Sequence, residues 1–271
     1  MTASAETWAF CGVHPDAPYA AKIVHTLAAI AGIDATFGPC MPPDWSTYTA
    51  AEPGGRYVDP DTYLRLTIMN ASEGMKTIVY DARLWSNDPT VRQVAIDFWL
   101  PNVAWIRAFD MGDEFDPDTP EWAVLVSRWR TILDDVTPVT GVGPFTNHLA
   151  SSAVLSRALI DMPEQWAHLS FDTYDEPAAL ALAAEFDGQV NHLMCAVNAL
   201  KHGPFSPTAT GITRHMKNLR AAGADSFLIF GGAVPYNGDL TPDPAFGRTS
   251  LVNRVGGPTA WAGAVLRGAQ P

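Results

Sequence analysis

Short apolar runs alternate with amphipathic segments from one end of the chain to the other, and that alternation limits the folds open to it. Strands are expected at Thr7–Val13, Ala35–Cys40, Thr77–Asp81, Val103–Asp110, Pro138–Val142, His168–Asp172, Asn191–Ala196 and Ser226–Phe230. Each is rich in Val, Ile, Phe or Trp and is followed by Gly, Pro, Asn or Asp, which interrupt extended backbone. Helices are expected at Ala17–Ala31, after the N-cap candidate Asp16, and at Asp59–Ser72, Asn87–Leu100, Thr119–Asp134, Ala178–Glu185 and Thr208–Ala222. A closing helix is expected around Thr259–Leu266, and no helix is assigned between Val142 and His168. Eight strand–helix units of about 30–40 residues are what a (β/α)8 barrel requires. A doubly wound open sheet is the alternative, but the first turn, Gly12-Val-His-Pro-Asp16, is not the GxGxxG loop that cradles phosphate. With no linker, repeat or low-complexity tract, the expectation is a single-domain (β/α)8 TIM barrel over residues 1–271.

Composition narrows the function classes. Hydrophobic residues make up 47% of the chain and charged residues 17%, ample for a large core. The net charge is −12, and no cluster of Lys and Arg offers the basic footprint that nucleic acid or an anionic membrane needs. A neutral or cationic ligand is compatible with this balance. Cys11, Cys40 and Cys195 lie in apolar contexts at wide spacing and read as buried thiols. The N-terminal residues lack the basic and apolar regions of a signal peptide, and no apolar run approaches the roughly 18 residues of a membrane span. The expected location is cytoplasmic by default, or virion-associated. No cofactor motif is present and no metal set is expected: the seven histidines show no HExxH or paired-ligand spacing.

On a barrel, the polar residues that follow the strands project to one rim, where the active site forms. They include His14 and Asp16, the Met41–Trp45 segment, Asp81 and Arg83, Asp110, Asp113 and Glu114, Thr146 and Asn147, Asp172, Tyr174, Asp175 and Glu176, Asn198, and Tyr236 with Asn237. This set is acidic and aromatic, which suits a sugar: carboxylates grip hydroxyls, and Trp or Tyr faces stack on pyranose C–H surfaces. Three carboxylates crowd the tip of the fourth strand, and neighbouring negative charge raises a carboxyl pKa toward the range of a general acid. Glu114 is therefore the candidate acid and Asp172 the candidate second carboxylate. His14, Asp81, Arg83, Trp85, Asp110, Asp113, Tyr174, Asn198 and Tyr236 are the candidate substrate-binding residues. Trp99, Trp105, Trp122 and Trp129 fall on core stripes and are expected to pack, whereas Trp45 and Trp85 follow strands and could be sugar platforms.

The segment Trp105-Ile-Arg-Ala-Phe-Asp-Met-Gly-Asp-Glu-Phe115 resembles the strand-four "G-W-x-x-x-D-E-P" signature of cellulase-like TIM-barrel glycoside hydrolases. His168-Leu-Ser-Phe-Asp-Thr-Tyr174 is similar to their "D-x-x-x-F-D-x-Y-P" strand, and Ser206–Phe230 to their final helix and strand. The resemblance covers about half of the chain. It implies an acid/base role for Glu114 and sugar binding by Asp172 and Tyr174. The chain departs from the pattern at strand seven, where many of these families carry a nucleophilic Glu and this sequence offers Asn198. Two functions are therefore expected to compete. One is hydrolysis of a polysaccharide or cell-envelope glycan. The other is glycan binding without cleavage by a degenerate barrel, with protein partners in a larger assembly such as a bacteriophage tail tip (a minor tail protein).

Overall fold

The computed structural model describes residues 6–10, 13–38, 59–173, 175–199, 207–232, 250–253 and 255–270, with Asp113 by its backbone. Eight parallel strands close into a barrel in the order β1 to β8: Thr7–Phe10, Ala35–Phe37, Lys76–Val79, Ile106–Asp113, Pro144–Leu149, Leu169–Asp172, Leu193–Asn198 and Ser226–Phe230. The seam is β1 on β8, with Trp8 opposite Leu228 and Phe10 opposite Phe230. The fold is the single-domain (β/α)8 TIM barrel expected from the alternation.

Around the barrel run α1 (Ala20–His25), α2 (Pro60–Ser72), α3 (Pro89–Trp99), α4 (Pro120–Thr131), α5 (Thr137–Thr140), α6 (Ser152–Asp161), α7 (Glu176–Phe186), α8 (Ala209–Ala221) and α9 (Ala260–Ala269). Local chemistry sets their starts. Asp59 accepts the Thr62 amide at 2.9 Å, Asp88 the Thr90 amide at 2.8 Å and Thr208 the Gly211 amide at 3.0 Å. Each such cap is worth about 1 kcal/mol. The start expected at Asp16 falls instead at Tyr19, which holds φ 65.

Two expectations fail between β4 and β6. Residues 138–140 of the expected fifth strand Pro138–Val142 fall in α5, which Gly141 ends in the left-handed region at φ 71. The strand lies downstream at Pro144–Leu149, with proline at its first position, where a missing amide is tolerated. The helix α6 then follows at Ser152–Asp161, a segment in which the sequence pattern predicts no helix. The fourth strand also starts and ends later than expected, at Ile106–Asp113 rather than Val103–Asp110, because residues 100–105 form a 3₁₀ turn. That turn leaves Trp105 39% exposed, so it does not pack as expected.

Side-chain alternation divides the core into an inside and an outside. Trp8, Phe37, Ile78, Ala108, Phe145, Met194 and Leu228 fill the barrel interior. A second cluster, with Phe109, Trp99, Trp122 and Trp129, packs α3 and α4 onto β3 to β5. A third joins β6 to β8 with α7 to α9 and holds the buried thiol of Cys195. Close approach matters at Gly38, just past β2: a Cβ there would lie 2.1 Å from the Tyr63 ring. Among the described residues, no helix is long and apolar enough to cross a membrane.

Candidate active site at the C-terminal rim

The fourth strand builds the centre of the rim. Its pairing with β5 is irregular between Asp110, opposite Phe145, and Asp113, opposite Asn147. The one extra residue is absorbed at Gly112, whose φ of 101 is open to glycine at little cost. Three bonds hold the distorted segment. The Asp110 Oδ1 accepts the Gly112 amide at 3.0 Å, Gly112 O accepts the Thr146 hydroxyl at 2.8 Å, and Glu114 donates its amide to Asn147 O at 2.9 Å. The result fixes Glu114 at φ 55, a left-handed conformation that costs a side-chain-bearing residue about 1–2 kcal/mol. Asp110 is buried and Glu114 is exposed.

The strands that follow, β5 to β7, add polar groups to the rim. Asn147 is buried, with Oδ1 accepting the Ser170 hydroxyl at 2.8 Å. Its Nδ2 has no partner among the described residues. Asp172, half-buried, ends β6 opposite Leu149 of β5. Asn198 ends β7 opposite Phe230 of β8. Asn147 is legible in the sequence as a rim residue, but its place within a strand is not, because the strand runs over Pro144–Leu149 and not over Pro138–Val142. Ser170 gave no signal beyond the alternation of its strand.

The rim residues after β3 are engaged in the scaffold. Asp81 is buried and takes Arg83 through Nε at 3.0 and 3.2 Å and Nη2 at 2.7 Å. It also accepts the Arg83 amide at 3.1 Å and the buried Trp99 indole N–H at 2.8 Å. Arg83 lies 5.1 Å over the Phe98 ring as well. Trp85 meets Tyr80 edge-on at 5.1 Å, and the Arg128 guanidinium lies 5.3 Å over it. After β1, His14 is buried and its Nδ1 accepts the Asp16 amide at 3.2 Å. Burial pushes this imidazole below its ordinary pKa, with Asp16 opposing the shift. Asp16 is itself paired with Arg65.

Trp45, Tyr174, Tyr236, Asn237 and the side chain of Asp113 lie outside the described residues. Among the described residues, no three His, Cys, Asp or Glu side chains are grouped to hold a metal ion. The rim offers acceptors at Asp110 and Asp172 and a solvent-facing acid at Glu114.

No family model matches the sequence, and no curated protein sequence matches it. Solved structures do. A glycoside hydrolase, GH5_18 from Streptomyces cattleya, solved in complex with GlcNAc, superposes with a TM-score of 0.54 at 12% identity, over 98% of this chain and 80% of that one. Xylanase 10B from Thermotoga maritima gives 0.51 at 9% identity, over 97% and 94%. Tryptophan synthase from M. tuberculosis gives 0.52 at 14%, over 98% and 93%. The first two are glycoside hydrolases and the third is not, so at these identities the likeness establishes the barrel and leaves the chemistry to the rim.

Proposed function

We propose that the chain is a glycoside hydrolase-like barrel acting on a polysaccharide or cell-envelope glycan by carboxylate acid–base chemistry. The observation that carries this reading is the strained backbone of Glu114 at the end of β4, held at φ 55 by its bond to Asn147. Strain of this kind persists only where the surroundings over-determine it, and it clusters at active sites. In this reading Glu114 gives its proton to the glycosidic oxygen as the C–O bond breaks and the electron pair goes to that oxygen. Asp172 is the second carboxylate or its orienter. If it acts as base, it takes a proton from the water that adds to the anomeric carbon; if as nucleophile, it first bonds that carbon itself. Asp110, Asp113, Tyr174, Tyr236, Asn198, His14, Arg83 and Trp85 contribute to the sugar subsite, and Asp81 supports it through Arg83 and Trp99. Glycoside hydrolases among the similar folds, one of them solved with GlcNAc, support the substrate class.

The test is reducing-end release from peptidoglycan, arabinogalactan and plant glycans by the intact chain and by Glu114→Gln. Turnover that falls at least a hundredfold in the variant supports the reading. A second reading is favoured by one observation: Asn198 stands at the tip of β7, where the families this sequence resembles often carry an acid. There the barrel binds glycan without cutting it, within an assembly such as a bacteriophage tail tip. Glycan binding without turnover, unchanged by Glu114→Gln, selects that function.

A further inference from the structure

A cavity of about 230 Å³ lies at the opposite end of the barrel from Glu114. Trp8, Arg107 and Phe145 line it from the second residues of β1, β4 and β5, and His168 from the residue before β6. Trp129 and Leu133 close its outer side, where α4 passes into a wider turn at Ile132–Val136. Glu164 and Arg107 stand at its edge, with side chains 40% and 34% exposed.

The polar equipment of this cavity is unevenly used. Arg107 donates from Nε to Glu6 at 2.8 Å, and its guanidinium lies 5.0 Å over the Trp8 ring. Its two Nη groups make no hydrogen bond to any described residue. Glu164 is held by Arg130 at 2.6 Å and by the Trp129 indole at 3.2 Å. The His168 Nε2 has no partner among the described residues. Burial, with the charges of His192 and Arg107, pushes the His168 imidazole down to about 3, so it is neutral at ordinary pH. Asp34, which also feels Arg107, accepts the Thr7 amide at 2.7 Å, and burial raises its carboxyl. Arg107 and Glu164 are therefore each held by an ion pair, and the spare charged donors are the two Nη groups of Arg107.

We propose that this cavity is a ligand site on the N-terminal face of the barrel, built for a small planar carboxylate carrying an aromatic ring. The two idle Nη groups form the fork that a carboxylate accepts in a bidentate pair. Trp8, Trp129 and Phe145 supply the aromatic walls against which one ring packs. The volume is below the roughly 300–1,000 Å³ of pockets that hold drug-sized molecules, which limits the occupant to about one ring. The site meets the carboxylate rim only through Thr146, which lines the cavity and bonds Gly112, and it does not depend on the glycan reading.

Benzoate and benzyl alcohol, titrated into the full chain and followed by calorimetry and by the indole N–H resonances, test this assignment. Benzoate is expected to bind at least tenfold more tightly than benzyl alcohol and to shift the Trp129 resonance. Arg107→Lys keeps the charge but loses the fork, and Arg107→Gln loses both; each should weaken benzoate at least tenfold. Leu133→Trp fills the space and should abolish binding, whereas Glu114→Gln should leave it unchanged. Equal binding of the two probes would reduce the cavity to an apolar hole. No binding of benzoate, or binding that survives both Arg107→Lys and Leu133→Trp, would overturn the site. Should Arg107→Gln fail to fold, the other variants still decide.

Discussion

Replacing Asp81 by alanine separates its scaffold role from a direct role in sugar binding. The deletion leaves the Trp99 indole N–H, fully buried, without its acceptor at 2.8 Å, a loss of about 1–3 kcal/mol. It also removes the acceptor for the Arg83 amide, which starts the 3₁₀ turn Ala82–Trp85, for about 1 kcal/mol more. The ion pair adds little, because the Arg83 side chain is 34% exposed and water screens it, so its share is about 1 kcal/mol at most. The expected total is about 2–5 kcal/mol. At an unfolding slope near 3 kcal/mol per molar urea, the midpoint should fall by about 1 M. Asp81→Asn, which keeps one acceptor oxygen, should lose about half as much. Urea titration followed by tryptophan fluorescence reads both variants, with glycan binding measured alongside. If Asp81→Ala stays within about 1 kcal/mol of the parent while glycan binding disappears, the carboxylate serves the ligand and the scaffold argument is wrong.

Two further outcomes follow from the same reasoning. Glu114→Gly should be more stable than Glu114→Ala by about 1 kcal/mol, because both lose the side chain and only glycine relaxes φ 55; equal stability in urea would remove the strain argument. Stability should fall as pH drops from about 6.5 toward 4, since burial holds His148 down to about 4 and His168 to about 3 while the unfolded imidazoles protonate near 6.5. The unfolded chain binds the extra protons in that window, so each histidine approaches a loss of about 1.4 kcal/mol per pH unit, opposed in part by Asp34. A flat profile between pH 6.5 and 5, measured by urea unfolding, would contradict the buried neutral state of these rings.

The barrel was readable because its signal is repeated eight times, and one misplaced strand does not alter the count. The failure at β5 has a local cause. Val139 and Val142 suggest extended backbone, yet residues 132–140 continue helically from α4, with Thr140 Oγ1 bonded back to Val136 O. The true strand carries Thr146, Asn147 and His148, polar residues that hide it from a hydrophobicity reading. They are polar because each is bonded inside the wall: Thr146 to Gly112, Asn147 to Ser170, and His148 Nε2 to Gln165 at 2.7 Å. The acid-rich end of β4 was visible from residue types alone. Its irregular pairing was not, since that depends on where β5 lies. The scaffold bonds of Asp81 were equally hidden, because Trp99 stands 18 positions away on a different element.

The seam between β1 and β8 bears on how the chain is made. Glu6 donates its amide to the Ser226 hydroxyl at 2.9 Å across 220 positions of sequence, the last link in the ring. During synthesis β1 therefore waits through most of translation with one side unpaired, and β7 waits for β8. An exposed strand edge is a template for pairing with another chain. A ribosome stalled before residue 226 would present two such edges at once, so release of β8 is the step at which the nascent protein stops being adhesive.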